Sequence, residues 1–240
     1  MKKRIDITLV EKGLARSRTQ AAELVRAKKV IAGGTIVEKP SMIVDEVIPV
    51  EVTEKLPYVG RGGLKLAHAL KHFNVNVAGL TAVDIGASTG GFTDCLLQND
   101  AKKVYAIDVG HSQLVPELCN DPRVISMEST DIREATLPEL ADIAVVDVSF
   151  ISLANIFTPM RGLLKEEGSA IVLIKPQFEV GKGNLGKGGV VKDEEARQNA
   201  IKNVLAKADE IGFSCLGITD SPILGGEGNK EYLAFLKKKL

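Results

Sequence analysis

Between Thr81 and Asp94 the chain reads T-A-V-D-I-G-A-S-T-G-G-F-T-D, an apolar run ending in an acid and then a glycine-rich turn. Glycines at such a point let a ligand approach the backbone at the carboxyl edge of a parallel sheet, where open α/β folds bind cofactors. Two nucleotide readings fail on residue type. A dinucleotide fingerprint wants glycine at Ser88, the second position of G-x-G-x-x-G, and a phosphate-gripping loop wants Lys then Ser or Thr where Phe92 and Thr93 follow Gly91. Two further residues are chemically conspicuous. Asp147 splits the apolar run Val145-Val146-Asp147-Val148, where an unpaired carboxylate inside a buried strand is costly. Lys175 ends the run Ala170–Ile174 just before Pro176 breaks the strand.

The elements that must position these groups alternate regularly. Thr81–Asp84, Lys103–Asp108, Val124–Met127, Ile143–Val148 and Ala170–Ile174 are short β-rich runs separated by polar amphipathic segments, which predicts a parallel sheet with helices on both faces. A helix is expected over residues 192–211, with late strands at 214–219 and 232–236. The second run ends at Asp108, a carboxylate placed to accept both hydroxyls of a ribose. After the third come Asp131, suited to an adenine amino group or to capping a helix, and Ile132, whose side chain would pack on the ring. The glycine turn then has a third reading, the first motif of Rossmann-like methyltransferases, with S-adenosyl-L-methionine as cofactor. Its predicted contacts are Asp84, Gly86, Ala87, Ser88, Gly90, Gly91, Phe92, Asp108, Val109, Asp131, Ile132 and Asp147. The expected fold class is therefore α/β, a Rossmann-like sheet with a small N-terminal α+β domain in front.

That front segment is basic although the whole chain is neutral. Residues 1–40 carry ten Lys/Arg against four Asp/Glu, leaving 21 against 27 for residues 41–240. Counterion release rewards each cation that neutralises a phosphate, so a nucleic-acid surface is one reading and a solvated face the other. Residues 5–15 read as a short amphipathic helix. Ser17-Arg18-Thr19-Gln20 has the form of a capping box opening a second, basic helix, and Gly33-Gly34 between β-branched runs signals a hairpin; residues 43–53 add strand. This order resembles the alpha-L RNA-binding module, and the resemblance places RNA contacts on Arg4, Arg16, Arg18, Arg26, Lys28 and Lys29. The expected boundaries are 1–56 for the module, 57–62 for a linker and 63–240 for the catalytic domain.

Five ordered strings carry a wider resemblance: GRGGLKL (60–66), DIGASTGGFTD, VVDVSFISL (145–153), LIKPQFE (173–179) and GNKEY (228–232). Together they resemble the TlyA or hemolysin A family, ribosomal RNA 2'-O-methyltransferases with an FtsJ-like catalytic domain and an alpha-L module. The resemblance implies a catalytic tetrad at Lys65, Asp147, Lys175 and Glu231, an RNA contact at Arg61, and ribosomal RNA or subunits as partner. Thr89 and Phe92 depart from the family's usual proline and tryptophan in the glycine turn. In this chemistry a ribose 2'-hydroxyl must lose its proton while held in line with a sulfonium methyl. A lysine near a second cation would serve as base or steering group, because like charges disfavour protonation; Lys175 is assigned that part, Lys65 substrate positioning and Asp147 the link to the donor. Read without the resemblance, Lys65 is a solvated helix lysine and Glu231, near Glu227, a surface glutamate.

The remaining features point to less chemistry. Gly181-Lys182-Gly-Asn184-Leu-Gly-Lys187-Gly188 nearly spells a P-loop but lacks the final Ser or Thr, and is read as a mobile basic lid. His68, His72 and His111 lack metal-ligand spacing, so no metal is expected. Phe150 is either beside cofactor or target base, or in the core. Cys95, Cys119 and Cys215 form no CxxC and read as core fillers. The longest apolar runs fall far short of the roughly 20 residues that span a bilayer, and MKKRIDITLV is no secretory signal, so a cytoplasmic protein is expected. Two other functions compete, a non-catalytic RNA-binding assembly factor and a membrane-lytic protein, which would need an amphipathic membrane segment.

Overall fold

A computed structural model describes every residue except Met1, Lys55, Lys182, Asn184, Gly226, Glu227 and Leu240, together with all but the side chain of Lys187. The chain folds as two compact units, residues 1–61 and 62–240. In the first, β1 (Lys2–Arg4) runs into α1 (Ile5–Glu11), α2 (Arg18–Arg26), β2 (Val30–Ala32), β3 (Thr35–Ile36), β4 (Ile43–Asp45) and β5 (Val50–Val52). The apolar stripes of α1 and α2, Ile5 and Leu9 with Ala21, Leu24 and Val25, bury against Val30, Val37 and Val44. Ser17 caps α2 by accepting the Gln20 N–H at 3.2 Å. The reciprocal bond runs from the Arg16 N–H to Gln20 Oε1 at 2.7 Å, one residue before the usual capping-box partner. β2 pairs antiparallel with β3, through the Gly33-Gly34 turn, and with β5.

The second unit opens with α3 (Gly62–His72) and continues through β6 (Thr81–Ile85), α4 (Gly91–Gln98), β7 (Lys103–Ile107), α5 (Pro116–Cys119), β8 (Val124–Met127), β9 (Ala141–Val146), α6 (Ala154–Leu163), β10 (Leu164–Ile174), α7 (Glu194–Ile211), β11 (Phe213–Asp220) and β12 (Tyr232–Lys238). They form a seven-stranded sheet in the order β11-β12-β10-β9-β6-β7-β8. β10, β9, β6, β7 and β8 are mutually parallel, while β12 is antiparallel to both neighbours. A parallel sheet covered on both faces needs strands that are apolar throughout. β9 meets that demand from Ile143 on, with Ile143, Ala144, Val145 and Val146 all fully buried; Asp142, near its start, is the polar exception.

Strand ends are set by partners elsewhere in the sheet. The Asp147 N–H donates to the Ile85 carbonyl at 3.0 Å, just beyond β9. Asp147 is therefore not inside a buried strand, as the pattern Val-Val-Asp-Val suggested; it is the first residue past the strand's carboxyl end. The long helix also begins later than residue 192, because Asp193 caps α7 by accepting the Glu195 N–H at 3.0 Å, and Gly212, left-handed at φ 97°, closes it.

Candidate functional site

Asp84 sits at the bottom of the site and is completely buried. Its Oδ2 accepts the Thr93 hydroxyl at 2.7 Å, while Oδ1 has no partner. Burial pushes its carboxyl up to about 7; the Thr93 bond opposes this, and the nearby Asp147 and Asp108 charges add to it. Above it the chain turns sharply. Gly86 is left-handed at φ 86°, and a Cβ there would lie 2.5 Å from the Asp147 carbonyl oxygen, so only glycine fits. Asp108 pins the turn from the next strand: its Oδ2 accepts the Ser88 N–H at 2.7 Å and its Oδ1 the Gly110 N–H at 2.7 Å.

A cleft of about 290 Å³ opens over this turn. Of the residues predicted to bind cofactor, Gly86, Ser88, Asp108, Val109, Asp131, Ile132 and Asp147 line it. Asp84, Ala87, Gly90, Gly91 and Phe92 stand outside its lining and shape the turn instead; Phe92 is 3% exposed and packs against Gly62. Ile85, Ile107, Ile132 and Ile156 give the cleft an apolar floor. No helix follows Asp131. Its Oδ1 accepts the Arg133 N–H at 2.9 Å in a side-chain turn, and the forked Arg133 guanidinium holds its carboxyl at about 2.

The tetrad side chains arrive as two ion pairs. Lys65 Nζ, from α3, lies 2.6 Å from Glu231 Oε2, and both residues are buried, at 7% and 4% exposure. The solvated-lysine and surface-glutamate readings are therefore both wrong; Glu227 lies outside the described residues. Lys175 Nζ lies 2.5 Å from Asp147 Oδ1 and donates a hydrogen bond to Ser149 Oγ at 2.8 Å. The sheet brings the pairs to one edge. Ile174 faces Tyr232 across β10 and β12, so Lys175 and Glu231 follow at the same end, and the start of α3 lies beside Asp147, 3.7 Å from a Gly62 Cβ to Oδ2. Each ammonium is matched to a carboxylate rather than to the other lysine.

Next to this edge, Phe150 is 92% exposed with φ 65°, and its ring centroid lies 5.2 Å from that of Phe178. The core reading of Phe150 does not hold. A bulky residue in the left-handed region is strained backbone of the kind that clusters at sites. His68 stacks on His72 at 5.7 Å and meets Thr219 at 3.3 Å; among the described residues no group of His, Cys, Asp and Glu could hold a metal ion. Of the cysteines, Cys95 is buried as a core filler should be, whereas Cys119 and Cys215 are exposed. Lys182 and Asn184 of the glycine-rich segment lie outside the described residues.

In the first unit Arg4 and Arg18 converge on Asp6, at 2.9 and 3.1 Å, and the Arg4 bond foremost holds that buried carboxyl below its ordinary range. Lys29 pairs with Glu54, and Arg61 with Glu23 at 3.5 Å. Arg26 and Lys28 are exposed, and Arg16 contributes its backbone N–H to the α2 cap.

The FtsJ-like methyltransferase family matches residues 58–238, and the S4 domain family matches residues 3–46. This chain belongs to the FtsJ-like methyltransferases. Among relatives of the methyltransferase, the 16S/23S rRNA (cytidine-2'-O)-methyltransferase TlyA of Mycobacterium tuberculosis is 44% identical over 98% of this chain and 89% of its own length. Hemolysin A of Brachyspira hyodysenteriae is 41% identical over 96% of this chain and 98% of its own. A solved structure from Streptococcus thermophilus, carried under a provisional hemolysin name, is 43% identical with a TM-score of 0.79, covering 99% of this chain and 89% of that one. Within the described residues, no helix of the methyltransferase is long and apolar enough to cross a membrane.

Two participants escaped the sequence. Ser149 holds Lys175, and Glu128, at the end of β8, accepts the N–H groups of Ser112, Gln113 and Leu114 at 2.9, 2.5 and 2.9 Å, curling that loop so that Gln113 lines the cleft. A polar residue closing an apolar strand was the available signal for Glu128. Ser149 carries none beyond its place two residues after Asp147.

Proposed function

We propose that this protein transfers a methyl group from S-adenosyl-L-methionine to a ribose 2'-hydroxyl of ribosomal RNA. The observation that carries this is the meeting of two lysine–carboxylate pairs at the sheet edge whose glycine turn borders the cleft. The donor set suits the cofactor: an apolar floor for a base and the Asp108 carboxylate for ribose hydroxyls. When bound, the cofactor supplies an electrophilic methyl group.

The protein's own residues do the rest. In its amine form Lys175 carries two hydrogens and one lone pair on Nζ. Asp147 and Ser149 hold that nitrogen from two sides, at 2.5 and 2.8 Å, which aims the lone pair toward the acceptor hydroxyl. Nζ would take the hydroxyl proton as the oxygen–methyl bond forms and the methyl–sulfur bond breaks, S-adenosylhomocysteine leaving, and Asp147 would stabilise the ammonium that results. Lys65, held by Glu231, positions the ribose. The S4 domain supplies affinity through its cations, and the relatives named for rRNA cytidine-2'-O-methylation support the substrate class.

Labelled methyl transfer onto unmodified ribosomal subunits, with mapping of the modified ribose, tests the reading. Lys175→Ala should lower kcat by about 10²- to 10⁴-fold while calorimetry still shows saturable cofactor binding. Full activity in that variant ends the assignment of Lys175. No heat with millimolar S-adenosyl-L-methionine ends the methyltransfer reading and leaves a non-catalytic RNA-binding factor.

A further inference from the structure

Glu231 is held by more than Lys65. Two hydrogen bonds tie down described residues before it: the Gly225 N–H donates to the Asn229 carbonyl at 2.9 Å and the Gly228 N–H to the Gly225 carbonyl at 3.0 Å. Gly225 itself lies against the carboxylate, because a Cβ there would stand 2.4 Å from Glu231 Oε1 and 2.9 Å from its Cδ. Gly225 has no left-handed φ, so its backbone does not require glycine. Space for the glutamate head does.

Asn229 fastens the chain just before Glu231 to the body of the domain. It is 1% exposed, its Oδ1 accepts the Val191 N–H at 2.9 Å, and its Nδ2 donates to the Gly189 carbonyl at 3.1 Å. The far side of that segment is tied down too, since Arg197 donates to the Val191 and Lys192 carbonyls at 2.7 and 2.9 Å. A buried side-chain amide satisfied at both ends is rigid and costly to disturb. Residue 231 receives its backbone placement from here and from the Ser221 N–H, which donates to its carbonyl at 2.9 Å.

We propose that Gly225 and Asn229 are positioning residues for Glu231, Gly225 leaving room for the carboxylate head and Asn229 anchoring the chain two residues before it, so that the Glu231–Lys65 pair is set for methyl transfer. The proposal rests on the catalytic reading given above for the tetrad. It assigns no contact with substrate to either residue. Their effect on the reaction passes through Glu231.

Gly225→Ala is a narrow probe, because the three atoms nearest the added methyl all belong to the movable end of one side chain. Methyl transfer from S-adenosyl-L-methionine to unmodified ribosomal subunits is measured for the unaltered protein, Gly225→Ala, Glu231→Ala and the double variant, with melting temperature and cofactor affinity alongside. Gly225→Ala should lower kcat about 10- to 100-fold, the scale of an ångström-sized misplacement, with melting temperature, cofactor affinity and RNA KM unchanged. In the Glu231→Ala background it should cost nothing further. An equal loss in both backgrounds, or unchanged kcat in the single variant, overturns the proposal. Should the double variant not fold, the single variant still decides: a fall in kcat without a change in KM or melting supports it, and a fall in melting temperature matching the loss of activity overturns it. Full activity in Glu231→Ala strikes at the catalytic reading itself, an outcome distinct from additivity.

Discussion

At Asp84 a carboxyl group has been taken wholly out of water with one of its oxygens unpartnered, and its proton affinity follows from that. With the folded-state value raised to about 7, the native protein keeps a proton that the unfolded chain loses near pH 4. The folded state thus binds more protons between these values, so this residue's contribution to stability falls as pH rises from about 4 to about 7 and is fully lost above it. The cost is at most on the order of 4 kcal/mol at pH 8. Asp84→Asn should remove this slope: chemical denaturation at pH 5 and pH 8 should differ less for the variant than for the parent, and an unchanged difference would show that the carboxyl is already ionised at pH 5. Asp84, Asp147 and Lys175 could be picked from sequence because each is a charged residue within or at the end of an apolar run. Lys65 and Glu231 stood out only through the family resemblance. Their burial exists only because each finds the other across 166 positions of sequence, and no local pattern encodes such a partner.

Among the elements, the turn joining β6 to α4 carries the tightest steric demand. Gly86→Ala meets both a left-handed backbone and the Asp147 carbonyl oxygen at 2.5 Å, whereas Gly79, also left-handed at φ 75°, faces open space. Both substitutions carry the left-handed penalty of about 1–2 kcal/mol. Only Gly86→Ala adds a backbone collision, so its denaturation midpoint should fall well below that of Gly79→Ala, and its cofactor affinity should fall as well; equal midpoints would mean that the close approach relaxes without cost. All five parallel strands were visible as β-rich runs, most of them because buried parallel strands are largely apolar; β8, exposed at Ile125 and Ser126, showed only through its β-branched residues. The insertion of β12 between β10 and β11 was not visible, since an apolar run names no neighbour. Nor was the true end of β9, which is fixed by the Asp147 bond to Ile85 and not by hydropathy.

For the molecule as a whole, the basic excess of residues 1–40 is partly spent inside the S4 domain. Of the seven cations assigned to RNA, Arg4, Arg18, Lys29 and Arg61 already hold carboxylates and Arg16 is engaged as well, leaving Arg26 and Lys28 prominent on the surface. Each phosphate neutralised contributes roughly 0.7–0.9 to the slope of log affinity against log salt. Seven engaged cations would give about 6. Comparing residues 1–240 with residues 62–240, titrated with ribosomal RNA across a salt series, should show a slope change nearer 2, with cofactor affinity the same in both. A change near 6 would mean that RNA displaces the internal carboxylates.

The place of β12 in the sheet has a consequence for synthesis. During translation every strand through β11 leaves the ribosome before Tyr232 does, yet β12 pairs with both β10 and β11. A nascent chain halted earlier presents two raw strand edges, an aggregation hazard, and lacks the last member of its proposed catalytic set. Closure of the sheet and completion of the proposed catalytic set thus come together, once Glu231 and β12 have emerged.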